Sequence, residues 1–170
     1  MKKILSTVII LMLLFSLFSC GNSKDDGRFL DYYETGLYYS IPKDYEKRNL
    51  TYGDFTYTNG EAYFFFSAFD EVDITEDMRL DSDITVKEFT ETYIIFLPFD
   101  VEYEYDKAMN ASHFEYVYEY EGGVTESEYY RHMIVRTEAY LYHVTLSCPE
   151  NRTEEYRDDF DRIIKSIKVD

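Results

Sequence analysis

Apolar and polar side chains alternate through much of residues 101–148, and that alternation leaves few folds open. Successive side chains of a strand point to opposite faces, so a period of two marks strands with one face buried. It predicts strands over residues 101–106, 113–121, 125–136 and 140–148, with a tight turn at Gly122-Gly123 and another at or beside Thr137-Glu138. Phe114, Tyr116, Tyr118 and Tyr120 are expected on one face, with Tyr129, Met133 and Val135 from the next strand and Tyr142, Val144 and Leu146 from the last. Glu115, Glu119, Glu121, Glu126 and Glu128 take the opposite face, which should be partly wet. After residue 150 the period changes to that of a helix. Tyr156, Phe160, Ile163, Ile164 and Ile167 form one apolar stripe to lay on the sheet, with Asn151 and Glu154 as caps. Lys165 and Lys168 fall in its last turn, where they suit the helix dipole.

The first half of the chain supplies the remaining elements. Residues 37–41 read as a strand stopped by Pro42. Residues 54–58 and 61–69 flank Asn59-Gly60, a strong hairpin signal. Residues 70–83 read as an acidic loop. Thr85 and Glu88 form a capping box, and Phe89, Tyr93, Phe96 and Leu97 follow at helical spacing until Pro98 ends the helix. No internal repeat is present. The expected fold is α+β: an antiparallel β-sheet meander with a mid-chain helix and a long C-terminal helix packed on it.

This order of elements resembles the PsbP-like α/β/α sandwich family. The residues that carry the resemblance are Gly36-Leu37-Tyr38-Tyr39-Ser40-Ile41-Pro42 at the start, Tyr142-His143-Val144-Thr145 in the last strand, and Phe160, Ile163, Ser166 and Ile167 in the last helix. It spans residues 35–169. The family often has Trp shortly after the first Pro; here Tyr45 is the nearest aromatic, and the chain has no Trp. The resemblance implies binding and assembly roles more than catalysis, and it implies no particular partner.

The N-terminus reads as a targeting segment. Lys2 and Lys3 precede an apolar run over residues 4–18. As a helix that run would be about 22 Å long, short of the ~30 Å hydrocarbon core. It ends in Leu17-Phe18-Ser19-Cys20, which resembles a bacterial lipobox, with Phe18 where a smaller residue is usual. Residues 1–19 are therefore expected to be a lipoprotein signal peptide, Cys20 the acylated residue, residues 20–34 a polar tether, and residues 35–170 a single domain. The expected location is the extracytoplasmic face of a membrane, held through lipid.

Charge then limits the partners. The chain has 17 Lys and Arg against 34 Asp and Glu, a formal net charge of −17. Lys2 and Lys3 leave with the signal peptide, which contains no acid, so the mature charge is −19. Nucleic-acid binding depends on cations at phosphates and is excluded, and anionic headgroups would repel the domain. The 19 Tyr and 13 Phe exclude disorder. Once Cys20 is acylated, Cys148 is the only thiol. It is expected to be a buried small hydrophobe.

Reactive motifs are sparse. There is no G-x-S-x-G, phosphate loop or H-E-x-x-H, so no enzyme activity and no cofactor is expected. Two-residue turns at Gly122-Gly123 and Thr137-Glu138 would place His113 opposite His132 and His132 opposite His143, with Glu115 one diagonal step away. Such a row could hold a divalent metal such as zinc or copper. The acids of residues 70–83 have oxygens that suit calcium but lack the spacing of a calcium loop. The tyrosine stripe could bind carbohydrate or peptide, yet under an amphipathic helix it reads as core. The function expected is a non-catalytic interaction or assembly module with an envelope protein as partner. The alternative is a small-ligand or divalent-metal-binding lipoprotein.

Overall fold

Asn59 and Gly60 turn the chain as their residue types suggest. Asn59 Oδ1 accepts from the amides of Glu61 and Ala62 at 3.1 and 3.0 Å, and Gly60 takes φ +98. They join strand β4 (Phe55–Thr58) to β5 (Tyr63–Phe69). The computed structural model describes residues 27–48, 54–120 and 126–170. The expected signal peptide, Cys20, most of the expected tether and the expected Gly122-Gly123 turn lie outside the described residues.

Before this hairpin come β1 (Phe29–Glu34), β2 (Leu37–Pro42) and β3 (Glu46–Arg48). After it come one π-helical turn (Asp73–Asp77), helix α1 (Val86–Ile95), β6 (Glu104–Asp106), β7 (Ala111–Tyr118), β8 (Glu128–Arg136) and β9 (Leu141–Pro149). A 3₁₀ turn (Glu150–Arg152) leads into helix α2 (Thr153–Ser166), and β10 (Lys168–Val169) closes the chain. Strands β3-β4-β5-β9-β8-β7-β6 form a seven-stranded sheet, and β1-β2-β10 a three-stranded one, with every pairing antiparallel. The chain is thus α+β, with a mid-chain and a C-terminal helix. No described helix is long and apolar enough to cross a membrane.

Three boundaries differ from expectation. Residues 29–34, read as tether, form β1, because they pair along their whole length with β2 through a two-residue turn at Thr35-Gly36. Thr35 and Gly36 both have positive φ (45° and 85°), and a Cβ on Gly36 would stand 3.4 Å from the Thr137 side chain. Lys168 leaves the helix for β10, opposite Tyr38. Neither Asn151 nor Glu154 caps α2; Arg152 is its first flanking residue and makes no side-chain cap, since the 3₁₀ turn leads directly into the helix. The Thr85–Glu88 capping box, in contrast, is present in both directions, at 3.2 and 3.0 Å.

The larger difference is the division of the core. Phe114 pairs with His132, not with a neighbour of Tyr129 and Met133 on their face. Tyr129, Met133, Val135, Tyr142, Val144 and Leu146 do share one face, under the α2 stripe and the inner side of β2. Phe114 and Tyr116 lie on the other face, with Ile134 and Leu141, under α1 and the π-helical turn. Both faces of the central strands are therefore covered. The glutamates of the expected wet face are scattered: Glu115, Glu119 and Glu126 are exposed and Glu128 is half-buried, while Glu121 lies outside the described residues. Ile74, read as part of a loop, is 2% exposed and helps close the second core.

Phe96 also departs from its expected place. Helical spacing puts it beside Phe89, but α1 ends at Ile95 and Phe96 is 82% exposed. Phe160 of α2, by comparison, is 1% exposed against Phe64 and Tyr129. Phe160→Ala should therefore cost about 3–5 kcal/mol in urea unfolding, while Phe96→Ala should change stability by no more than about 0.5 kcal/mol. Equal losses at the two positions would contradict this division of the core.

Candidate functional site

Sheet parity decides which histidines meet. The turn between β7 and β8 places His113 opposite Met133, one residue away from the expected register. A one-residue shift sends a side chain to the other face. The turn between β8 and β9 contains four residues, Thr137 to Tyr140, closed by Thr137 N–H donating to Tyr140 O at 2.9 Å. That shift is even, so His132 and His143 keep a common face: His132 is opposite Thr145, and His143 is opposite Ile134. Of the expected row, His132 and His143 are brought together. His113 and Glu115 lie on the far side of the sheet.

The pair is tightly built. His132 Nδ1 and His143 Nε2 are 2.9 Å apart, and Thr145 Oγ1 stands 3.1 Å from the first and 3.5 Å from the second. Phe114 stacks on His132 with ring centres 4.5 Å apart, and Tyr93 of α1 meets the His143 ring edge-on at 4.6 Å. The rings are 2% and 8% exposed. Burial, and for His132 also the neighbouring His143, lowers both imidazoles; His143 is pushed down to about 4. Both are neutral in the fold, and the nitrogen contact needs one proton shared between two rings. His132 Nε2 is buried without a hydrogen-bond partner, which costs about 1–3 kcal/mol.

This donor set does not suit a zinc or copper centre. Two imidazole nitrogens and a hydroxyl converge, where structural zinc takes four ligands. Among the described residues, no group of three His, Cys, Asp or Glu is placed to hold a metal ion. Thr145 beside an imidazole has the composition of a nucleophile and base, but rings this buried leave no face for a substrate. From sequence, Tyr93 is expected as a helix core residue and Thr145 as a strand residue, and neither is placed beside the histidines. The signal for Thr145 was its i, i+2 relation to His143 on a strand; Tyr93 needed the position of α1.

The other candidates are dispersed or self-satisfied. His113 is half-buried in a groove lined also by Glu102, Glu104, Glu115 and Arg131. Burial, followed by Arg131, lowers its pKa. Glu115 accepts the Tyr129 hydroxyl at 2.6 Å. In the acidic stretch, Asp70 Oδ1 accepts from Val72 and Asp73 amides at 2.8 and 2.9 Å, and Asp73 Oδ2 accepts from Asp70 N at 2.9 Å. These carboxylates start the π-helical turn. Cys148 is 1% exposed and its thiol is pushed up to about 11, mainly by burial. The tyrosine stripe is internal only in part: Tyr129 and Tyr142 are buried, Tyr116 and Tyr118 are half-buried, and Tyr120 is 38% exposed.

Among the described residues, the most exposed large apolar side chains lie at the end of α1. The helix buries Val86, Phe89 and Thr90 and half-buries Tyr93 and Ile94, and Leu97 beyond its end is half-buried too, which leaves Ile95 on the outer side, 77% exposed, beside Phe96. Pro98 prevents the helix from continuing. A groove of about 460 Å³ follows, with Ile95, Leu97, Pro98, Phe99 and Asp100 in its wall.

No family model and no curated protein matches the sequence. Solved structures do match in fold. Cyanobacterial PsbP (CyanoP) from Synechocystis is similar over 89% of this chain and 98% of its own, with a TM-score of 0.59 and 15% identity. A protein from Bacteroides thetaiotaomicron is similar over 84% of this chain and 49% of its own, with a TM-score of 0.53 and 13% identity.

Two measurements test the buried groups. An unfolded histidine titrates near 6.5, above the folded values, so the unfolded chain takes up protons first as the pH falls. The stability contributed by neutral His143 is complete above pH ~6.5 and is lost as the pH falls from there through about 4. At about 1.4 kcal/mol per pH unit, His143 alone should cost about 2 kcal/mol at pH 5, and His143→Gln should remove that share of the slope in urea unfolding. An unchanged slope would rule out this titration. In a chain lacking residues 1–20, Cys148 should react with a thiol reagent only after denaturation; rapid labelling of the folded chain would contradict its burial.

At these identities the likeness carries the fold and nothing of the chemistry: the chain is a PsbP-like α+β sandwich.

Proposed function

We propose that this chain is a membrane-anchored lipoprotein on the extracytoplasmic face, whose PsbP-like domain serves as a non-catalytic interaction module for an envelope protein. The lipobox-like Leu17-Phe18-Ser19-Cys20 supports the anchor. Residues 21–28 separate Cys20 from β1, and eight residues reach at most about 26–29 Å. The tether therefore keeps the domain close to the membrane, while its acidity keeps it from binding anionic headgroups.

One observation carries the interaction reading: adjacent Ile95 and Phe96, 77% and 82% exposed, stand beside a groove walled by Leu97, Pro98, Phe99 and Asp100. Neither side chain contributes appreciably to the core, so folding does not explain them. Interfaces concentrate their energy in a few such aromatic and aliphatic anchors. The buried histidine pair offers no comparable access to a small ligand.

The test uses the tagged full chain in the cells that make it. Cys20 should carry lipid by mass spectrometry, and Cys20→Ala should move the chain from the membrane to the soluble fraction. Crosslinking on intact cells should recover one reproducible envelope protein. A membrane-bound Cys20→Ala chain would refute the anchor, and recovery of nothing above background would refute the module.

A further inference from the structure

We propose that the ridge at the end of α1 docks a cationic protein segment, one that sets apolar side chains against Ile95 and Phe96 and Lys or Arg against the acids around them. This rests on the interaction-module reading and names the chemistry of the partner.

The apolar part of the surface is in place without rearrangement. Ile95 and Phe96 are 77% and 82% exposed, and the groove beside them continues to Phe99, whose ring meets Tyr116 at 5.0 Å and Tyr118 at 6.3 Å. The chain direction here is set by the end of α1 and by Pro98, so the anchors project from a defined backbone. Little conformational entropy is lost when such a surface is covered.

Charge selects the occupant. Asp100 is exposed in the groove wall, and Glu91, exposed one helical turn before Ile95, stands 3.8 Å from Lys87 and accepts the Tyr103 hydroxyl at 2.6 Å. From Lys87 to Arg131 the sequence has eleven carboxylates and three Lys or Arg: Lys87, Lys107 and Arg131. A second copy of this chain would bring the same sign of charge to the same ridge. An anionic lipid surface would be repelled as well. A partner with Lys or Arg around an apolar centre meets both parts of the surface, and its association should weaken with salt.

The experiment places the photo-crosslinker p-benzoylphenylalanine at position 96 of the full lipidated chain in its own membrane, with position 72 as control, since Val72 is also exposed (55%). Crosslinked peptides are mapped by mass spectrometry. The expected product joins position 96, and not position 72, to a protein segment whose apolar residues are flanked by Lys or Arg. Its yield should fall at least tenfold in the Glu91→Gln/Asp100→Asn chain and when membranes are raised from 0.1 to 0.5 M salt before irradiation. A crosslink to lipid, to a second copy, or to a segment without cationic residues would overturn the proposal. So would a yield that the acid substitutions leave unchanged. If position 96 captures nothing while whole-cell crosslinking still recovers an envelope protein, this docking site is refuted and the module reading stands. If neither recovers a partner, both fail.

Discussion

Strand β9 is the constraint on which the remaining packing depends. It pairs with β5 on one side and β8 on the other, and its alternate side chains enter different cores. Tyr142, Val144, Leu146 and Cys148 face α2 and the small sheet, whereas Leu141, His143 and Thr145 face the side covered by α1. A strand buried on both faces tolerates no register slip, because one residue of slip would exchange the two sets. Aromatic volume makes the exchange costlier still, since Tyr142 is fully buried.

The small sheet is bound to β9 through that same tyrosine. Tyr142 Oη donates toward the carbonyls of Glu34 and Thr35 at 3.3 and 3.0 Å and also meets the Thr35 hydroxyl. These contacts lie at the β1–β2 turn, where Thr35 holds an unfavourable positive φ. Tyr39 and Tyr57 hydroxyls, 3.1 Å apart, join the inner face of β2 to β4. Ser40 N–H donates to Ser166 Oγ at 2.8 Å, and β10 pairs with β2, so the end of α2 and both ends of the described chain meet on one small sheet.

The excursion between β5 and β6 covers the opposite face. Its buried residues, Ile74, Ile84, Val86 and Phe89, close over Phe114 and Ile134 and exclude water from the histidine pair. The pair is a polar contact inside an aromatic core, satisfied by a shared proton and Thr145 instead of by solvent. The excursion ends with Ile95 and Phe96 exposed. The same segment therefore seals one core and presents the two most exposed large apolar side chains among the described residues.

The residues alone determined the central strands, the two helices and the start of α1, but not β1, the π-helical turn or the start of α2. Period-two alternation located the strands from β7 to β9, the Tyr156–Phe160–Ile163 stripe located α2, and Thr85 with Glu88 started α1, because these signals act between neighbours in sequence. Asn59-Gly60 turned its hairpin for the same reason. The tertiary structure decided which strand faces coincide. Parity depends on the number of residues between the last paired positions of two strands, and turn residue types do not state that number. A one-residue difference separated His113 from His132, and a two-residue difference left His132 beside His143. It also decided that a second layer covers the other face, and that Phe96, helical in spacing, lies beyond the end of its helix. Those outcomes depend on contacts between segments distant in sequence, which no local period records.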